Sequence, residues 1–441
     1  MQKKSVLIIS LMVLITAVGY ISFREPPRTT RADVSIIGPV LLADGLGRQA
    51  VELALNIQNN FKTEIISRLV CPEDVPESVL SIIKYQKKKQ TRYEDCGPLG
   101  KVVIVQGQVW KPSYKNLKLF KQINQEDQIR IAYSMLESTK IPIEWVEVLN
   151  TYYDAVVVPD PFLVQAYQES GVRIPVFQIP LGLDLQNFLK SPLKVKRNNP
   201  MVFANLSAAD SRKNHVLLIR AFAKALGNNP SVILKINCRR GSKETIASIR
   251  EELVRQNCKN IEFTLESLSK ESYLEVFKGV DCYVSLSKGE GFSIQPREAM
   301  ALGIPVIATD NTGQSTICKS GLVRSVLSTL EEPAFYFGNR TRGGNFLNCN
   351  IDDAAEAIYD VYLHYEKYLA HASDARQWAG AYDYSNPTVN ALYRHLICPK
   401  KVVLGHENSL TQEVLVTNSQ RLYLKYLALT ENGSFKEFNP N

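Results

Sequence analysis

"SLSKGEGFSIQPREAMALGIPVIATDNTG", residues 285–313, carries two glutamates eight positions apart, Glu290 and Glu298, with small residues between them and Pro296 just before the second. The residues leading into it, "DCYVSLS", have the continuous apolar character of a buried strand. "KGEGFSI" reads as the loop that follows, and "QPREAMALG" as a helix that Pro296 opens and Gly303 closes. "GIPVIAT" is a further strand and "DNTG" another glycine loop. In an open parallel sheet, ligands bind where the carboxyl ends of strands meet loops and helix N-termini. This order therefore puts Glu290 in a loop at such an edge and Glu298 in the first or second turn of the helix. Free N–H groups at a helix N-terminus suit phosphate. Carboxylates beside a phosphate site hold sugar hydroxyls, as the acid that reads ribose does in dinucleotide folds. The segment thus points to a ligand with a pyrophosphate and sugar rings. A capping Glu290 and a solvated Glu298 would account for the same pair in a plainer context.

Working outward, 441 residues, 45% hydrophobic and 22% charged, are more chain than one core organises, so two domains are expected. Short apolar strands alternate with helical segments from "DVSIIG" through "KVVIV" (101–105), "RIAYSM" (130–135), "DAVVVP" (154–159) and "PVFQIPLG" (175–182). After the basic, proline-bounded "LKSPLKVKRNNP" (189–200) the pattern restarts with "MVFANLS", "HVLLIRAFAKAL", "VILKINC", "IEFTL", "DCYVSL" and "IPVIAT". Continuous apolar strands of this kind predict parallel sheets covered on both faces. The expectation is an α/β protein of two Rossmann-like, doubly wound domains facing a cleft, 33–195 and 196–385. A closing helix at 386–398 returns to the first domain, and 399–441 form a tail. "NIDDAAEAIYDVYLHYEKYLAHA" (350–372) reads as one long surface helix.

At the N-terminus an uncharged run of nineteen residues, Ser5–Phe23, lies between Lys4 and Arg24. That length spans a bilayer, so residues 1–32 are expected to be a single-pass membrane anchor and connector. A cleaved signal peptide, with small residues at Ala17 and Gly19, is the competing reading. Basic residues on both sides leave the orientation open between a bacterial cytoplasmic face and a eukaryotic secretory lumen. The net charge of +8 is spread along the chain, with "KYQKKKQTR" (84–92) densest. It reads as a solvated face, and no nucleic-acid partner is expected. Eight cysteines without a CxxC read as free thiols. Neither a DxD pair nor a His or Cys cluster offers metal-ligand spacing, so no metal is expected.

"EGFSIQPREAMALGIPVIAT" matches nearly throughout the signature E-G-F-G-(x)-P-x-x-E-A-M-A-x-G-x-P-V-I-A-(ST). On this motif the chain resembles the family-4 retaining glycosyltransferases of the GT-B fold. "RKNHVLLIRAFAKAL", "SGVRIPVFQIPLGLDLQNF" and "GPVLLADGLGRQAVELA" support the likeness, which covers about residues 33–398. The resemblance implies a nucleotide-sugar donor held mainly by the second domain and a sugar, glycan or lipid-linked acceptor on the first. It implies transfer with retained configuration and no metal; the nucleotide-sugar is a substrate and no cofactor is expected. By position, Glu290 would touch donor-sugar hydroxyls and Glu298 the ribose hydroxyls. Backbone amides of Gly291, Phe292, Ser293 and Ile294 would approach the sugar and pyrophosphate, Gly47 of the first glycine loop would face the donor, and Lys213 would neutralise the diphosphate. Two departures stand out. The family's arginine five residues before that lysine is Ala208 here, with Arg212 the nearby substitute. The family's first-domain histidine has no counterpart, because all five histidines lie at or after His215; Asp44 and Glu137 are the candidates for its place. A sugar-nucleotide epimerase of the same fold and a non-catalytic sugar-nucleotide-binding domain are the alternative readings.

Overall fold

The computed structural model describes residues 32–42, 45–67, 69–72, 75–85, 99–107, 128–336, 341–387 and 397. The apolar run 5–23, Asp44, most of the expected closing helix and the tail 399–441 lie outside these. Among the described residues no helix is long and apolar enough to cross a membrane.

Two seven-stranded sheets organise the described chain. The first holds Val34–Ile37 (β1), Thr63–Ser67 (β2), Ile83–Tyr85 (β3), Val102–Gln106 (β4), Ile129–Tyr133 (β5), Ala155–Val158 (β6) and Val176–Gln178 (β7). Its order is β3-β2-β1-β4-β5-β6-β7, parallel throughout. The second holds Met201–Asn205 (β8), Val232–Asn237 (β9), Ile261–Thr264 (β10), Cys282–Ser285 (β11), Val306–Asp310 (β12), Arg324–Tyr336 (β13) and Thr341–Cys349 (β14), in the order β10-β9-β8-β11-β12-β13-β14. Each order reverses direction between its first strand and the neighbour that follows, at β1/β4 and at β8/β11. A crevice opens at such a reversal, outside the carboxyl ends of the strands.

The apolar runs become strands because both faces of each sheet are covered. All four residues of β1, VSII, are buried. Each fully buried valine or isoleucine contributes about 1.5–3 kcal/mol over the exposed state. Ser35 is the polar exception, and it is satisfied: its hydroxyl donates to Glu64 (2.6 Å) and accepts from the Gly100 amide (2.8 Å). The six described cysteines are free thiols. Asn205, which begins an N-x-S sequon, is buried, with its amide donating to the Val284 carbonyl (2.7 Å).

Three departures from the sequence reading have physical causes. β2 and β3 are short strands that the apolar runs did not mark. β13 and β14 form an antiparallel hairpin on an otherwise parallel sheet. β13 alternates in part between exposed and buried residues and β14 is mostly half-buried, so the continuous apolar signature of a two-sided strand is missing. The expected long helix over 350–372 is two, Ile351–Leu363 and Tyr365–Leu369, interrupted at His364 (φ −112°), and a third, Ala372–Gly380, begins where the expectation ended.

The hairpin reaches the first domain. Thr139 N–H donates to the Asn345 carbonyl (3.0 Å), Gly344 N–H to that of Lys140 (2.9 Å), and Asn345 N–H to the Thr139 hydroxyl (2.9 Å). Glycines at 343 and 344 allow this approach, since a Cβ at either would overlap Ser138, Thr139 or Lys140. Tyr336 and Phe346 meet edge to face beside Trp145. Elsewhere Arg297 is completely buried, lying 3.8 Å over the Phe292 ring and 4.6 Å over Tyr382, with Asp160 of the first domain 3.6 Å away. Burial outweighs that guanidinium and pushes the Asp160 carboxyl up to about 6. The chain then returns: Leu183 and Tyr382–Tyr384 exchange main-chain hydrogen bonds, so the end of the second domain is fastened to the connection leaving the first.

Candidate active site

The segment 285–313 folds in the expected order. β11 ends at Ser285, a loop carries Glu290, and a helix runs Ile294–Ala301. Pro296 falls at the third helical residue instead of the first, because the helix begins directly after Ser293, whose φ of 66° turns the chain sharply. Gly303, at φ 72°, ends it in the left-handed conformation that glycine adopts without strain. Thr312 and Gly313 pin the loop: the Glu290 amide donates to the Thr312 hydroxyl (2.8 Å), and Gly313 N–H donates to the Glu290 carbonyl (2.9 Å).

Glu290 faces two cations from the short 3-10 turn Ser211–Lys213, which Asp210 caps by accepting from the Arg212 amide (2.9 Å). Lys213 Nζ pairs with Glu290 Oε1, and Arg212 Nη1 lies 3.0 Å from Oε2. Burial opposes the charge on Glu290, but Lys213 and Arg212 outweigh it and hold the carboxyl at about 2. The two cations are not equivalent. Arg212 also donates to the Gly289 carbonyl (2.7 Å) and reaches Glu137 of the first domain at 3.4 Å. Its planar fork is spent on holding the loop and bridging the domains. Among the described residues Lys213 pairs with Glu290 alone, which leaves ammonium protons for an anionic ligand. Burial raises the Glu137 carboxyl against the pull of Arg212.

Glu298 sits in the second turn of the helix and is fully buried. Both its oxygens have partners: Arg48 Nη1 at 2.6 Å on Oε1, and the Tyr273 hydroxyl donating at 2.7 Å to Oε2. Arg48 comes from the first domain, in the helix Gly45–Ile57, and its Nε donates to Glu52 (2.8 Å). Glu52 in turn accepts from the Asp184 amide (3.0 Å). Burial works against the Arg48 charge, and Glu298 and Glu52 together overcome it. These groups line a cavity of about 640 Å³, with Arg48, Tyr273, Glu298 and Arg239 on its polar side and Leu41, Leu42, Val51 and Leu55 on its apolar side. Arg239 holds a buried Nε without a hydrogen-bond partner.

Of the remaining expected residues, Ile294 lines the cavity. Gly291 packs against Met135 of the first domain, 3.1 Å from where its Cβ would stand, and a Cβ at Gly289 would overlap the Glu137 carbonyl. The Phe292 side chain is core, and Ser293 Oγ accepts from Gln314 (3.1 Å). Gly47 is not in a loop: it lies in the first turn of the helix Gly45–Ile57, buried, with no room for a Cβ against the Leu41 backbone. That close packing accounts for the glycine. The structure thus brings Glu290, Lys213, Arg212 and Glu137 into one cluster and places Glu298 on the cavity, where the sequence reading missed Arg48 and Tyr273. Arg48 follows the first glycine loop and has Glu52 at helical spacing, the only signal it gave.

Comparison with known proteins follows the same division. A model of the glycosyl transferases group 1 family matches residues 190–329, spanning Lys213, Glu290 and Glu298. The Anabaena protein HepE, solved in complex with UDP and glucose, superposes with a TM-score of 0.63 over 83% of this chain and 99% of its own, at 13% identity. The sucrose-phosphate synthase of Thermosynechococcus elongatus gives 0.59 over 82% and 98%, at 17% identity. An uncharacterized protein 356 of Sulfolobus islandicus rod-shaped virus 1 is 21% identical over 277 residues, 59% of this chain and 74% of that protein. Residues 190–329 thus carry the likeness to the group 1 glycosyl transferases, and the two-sheet architecture of the whole described chain is that of the GT-B fold.

Proposed function

We propose that the chain moves a sugar, with retained configuration and without a metal, from its nucleotide-sugar donor to a hydroxyl of a sugar, glycan or lipid-linked acceptor. In this reading Glu290 accepts hydrogen bonds from donor-sugar hydroxyls, Glu298 from the ribose, and Lys213 faces the diphosphate. The observation that carries it is the pairing of Lys213 with Glu290 of the loop that leads into the helix Ile294–Ala301, whose second turn places Glu298 on a cavity. As the bond from the sugar's anomeric carbon to the diphosphate oxygen breaks, its electron pair stays on the diphosphate. Lys213 and the N–H groups at the start of the helix Ile294–Ala301 stabilise that charge more in the transition state than before it. The acceptor oxygen bonds to the same face, and its proton passes to the departing phosphate oxygen. Arg212 fixes the loop, and Glu137 reaches it from the first domain. HepE, with the same fold, is solved with UDP-glucose; for this chain the base and the sugar are left to the assay. The anchor at 5–23 belongs to the proposal and rests on the sequence alone: a tether would concentrate the enzyme with a lipid-linked acceptor in one thin layer.

Protein lacking residues 1–31, incubated with a panel of UDP-, GDP- and ADP-sugars and a soluble acceptor analogue, tests this. Transfer with the donor's anomeric configuration, unchanged by EDTA, is expected. Rearranged donor without acceptor would establish an epimerase, and binding without turnover a non-catalytic domain.

A further inference from the structure

Glu298 is held differently from what a freely solvated ribose acceptor would need. A carboxylate offers roughly four lone-pair directions. Arg48 takes one on Oε1 and Tyr273 one on Oε2, leaving one open on each oxygen. A ribose presents two neighbouring hydroxyls, which are two donors. Arg48, Tyr273 and Glu298 all line the cavity, and the cavity exists with the ion pair in place. The pair therefore borders the ligand space. Arg48 is itself anchored by Glu52, which the Asp184 amide holds. It also supplies the counter-charge that a completely buried carboxylate needs.

We propose that Arg48, from the first domain, is the positioning residue that orients the Glu298 carboxylate toward the two ribose hydroxyls, with Tyr273 as its counterpart on the second oxygen. The inference rests on the reading of Glu298 as the ribose acceptor. Its consequence is that discrimination between ribose and deoxyribose belongs to both domains together.

The test is calorimetry with whichever of UDP, GDP and ADP binds tightest, set against its 2′-deoxy form, on the whole chain and four variants. Wild-type protein should prefer the ribonucleotide by about tenfold or more, and Arg48→Gln should shrink that preference to within about threefold. Arg48→Lys, which keeps the charge and loses the fork, should fall between them, and it serves should the glutamine variant not fold. Asp160→Asn, which breaks a cross-domain pair outside the cavity, should keep the full ratio whatever it does to affinity. A merely structural Arg48 would weaken both nucleotides equally and leave the ratio intact, which overturns the proposal. Tighter binding by Arg48→Gln overturns it too, marking Arg48 as an occupant that ribose displaces. Failure of the underlying reading looks different: wild-type protein would show no preference, or Glu298→Ala would retain it.

Discussion

The two glutamates of the motif lie on one loop-helix segment and obtain their charge partners in opposite ways. Glu290 is neutralised within its own domain by consecutive residues of a single turn, Arg212 and Lys213. Glu298 is neutralised from the other domain, by an arginine 250 residues away in the chain. One end of the site can thus be assembled by the second domain alone, while the other is complete only when both domains meet. Chemistry at the sugar end should respond to local substitutions, and nucleotide recognition to the relation between domains.

The largest expected effect falls at the self-sufficient end. Lys213→Ala should lower kcat by about 10²–10³, the usual loss for one preorganised charge-stabilising group, and change donor affinity far less. Equal losses in both quantities in steady-state and binding measurements would move Lys213 away from the leaving group. Next comes Glu298→Ala, which should weaken nucleotide binding by about 1.5–3 kcal/mol, roughly ten- to hundredfold. Unchanged calorimetric affinity for the nucleoside diphosphate would erase the contrast between the two glutamates.

The smallest effect uses a third carboxylate, Asp160, which also meets a guanidinium across the domains but outside the cavity. Its carboxyl is raised to about 6 from an unfolded value near 3.9, so the native state binds the extra proton between those values. Its contribution to stability is therefore full below about pH 4 and is lost as pH rises through about 6. Melting temperatures of wild type and Asp160→Asn across pH 4–7 should show the wild type losing ground over that window. A constant gap would mean that Asp160 stays ionised throughout.

The second domain was legible because its motif is contiguous: strand, loop, helix and strand are adjacent in sequence, and Glu290 and Glu298 keep their places relative to them. Lys213 and Arg212 were expected only through the family resemblance of the stretch that precedes an apolar helix. Arg48 and Tyr273 could not, since their role exists only through contacts that join distant segments, and neither carries a local pattern that says so. The hairpin β13–β14 escaped for a related reason. Its partner surface is Thr139 and Lys140, and a half-exposed alternating strand shows no apolar run. Gly47, expected in a glycine loop, lies in a helix, and a glycine that packs closely on Leu41 looks the same in sequence as one that makes room for a ligand.

The hairpin also decides how the two domains can part. Around Arg48 they meet through side chains, whose hydrogen bonds a ligand's hydroxyls or water can take over one at a time. At Thr139 and Lys140 they meet through the main chain, packed on Gly343 and Gly344, so those bonds and that packing are lost together. Parting the domains at the hairpin therefore means breaking several main-chain bonds together, whereas the Arg48 contacts can be exchanged singly.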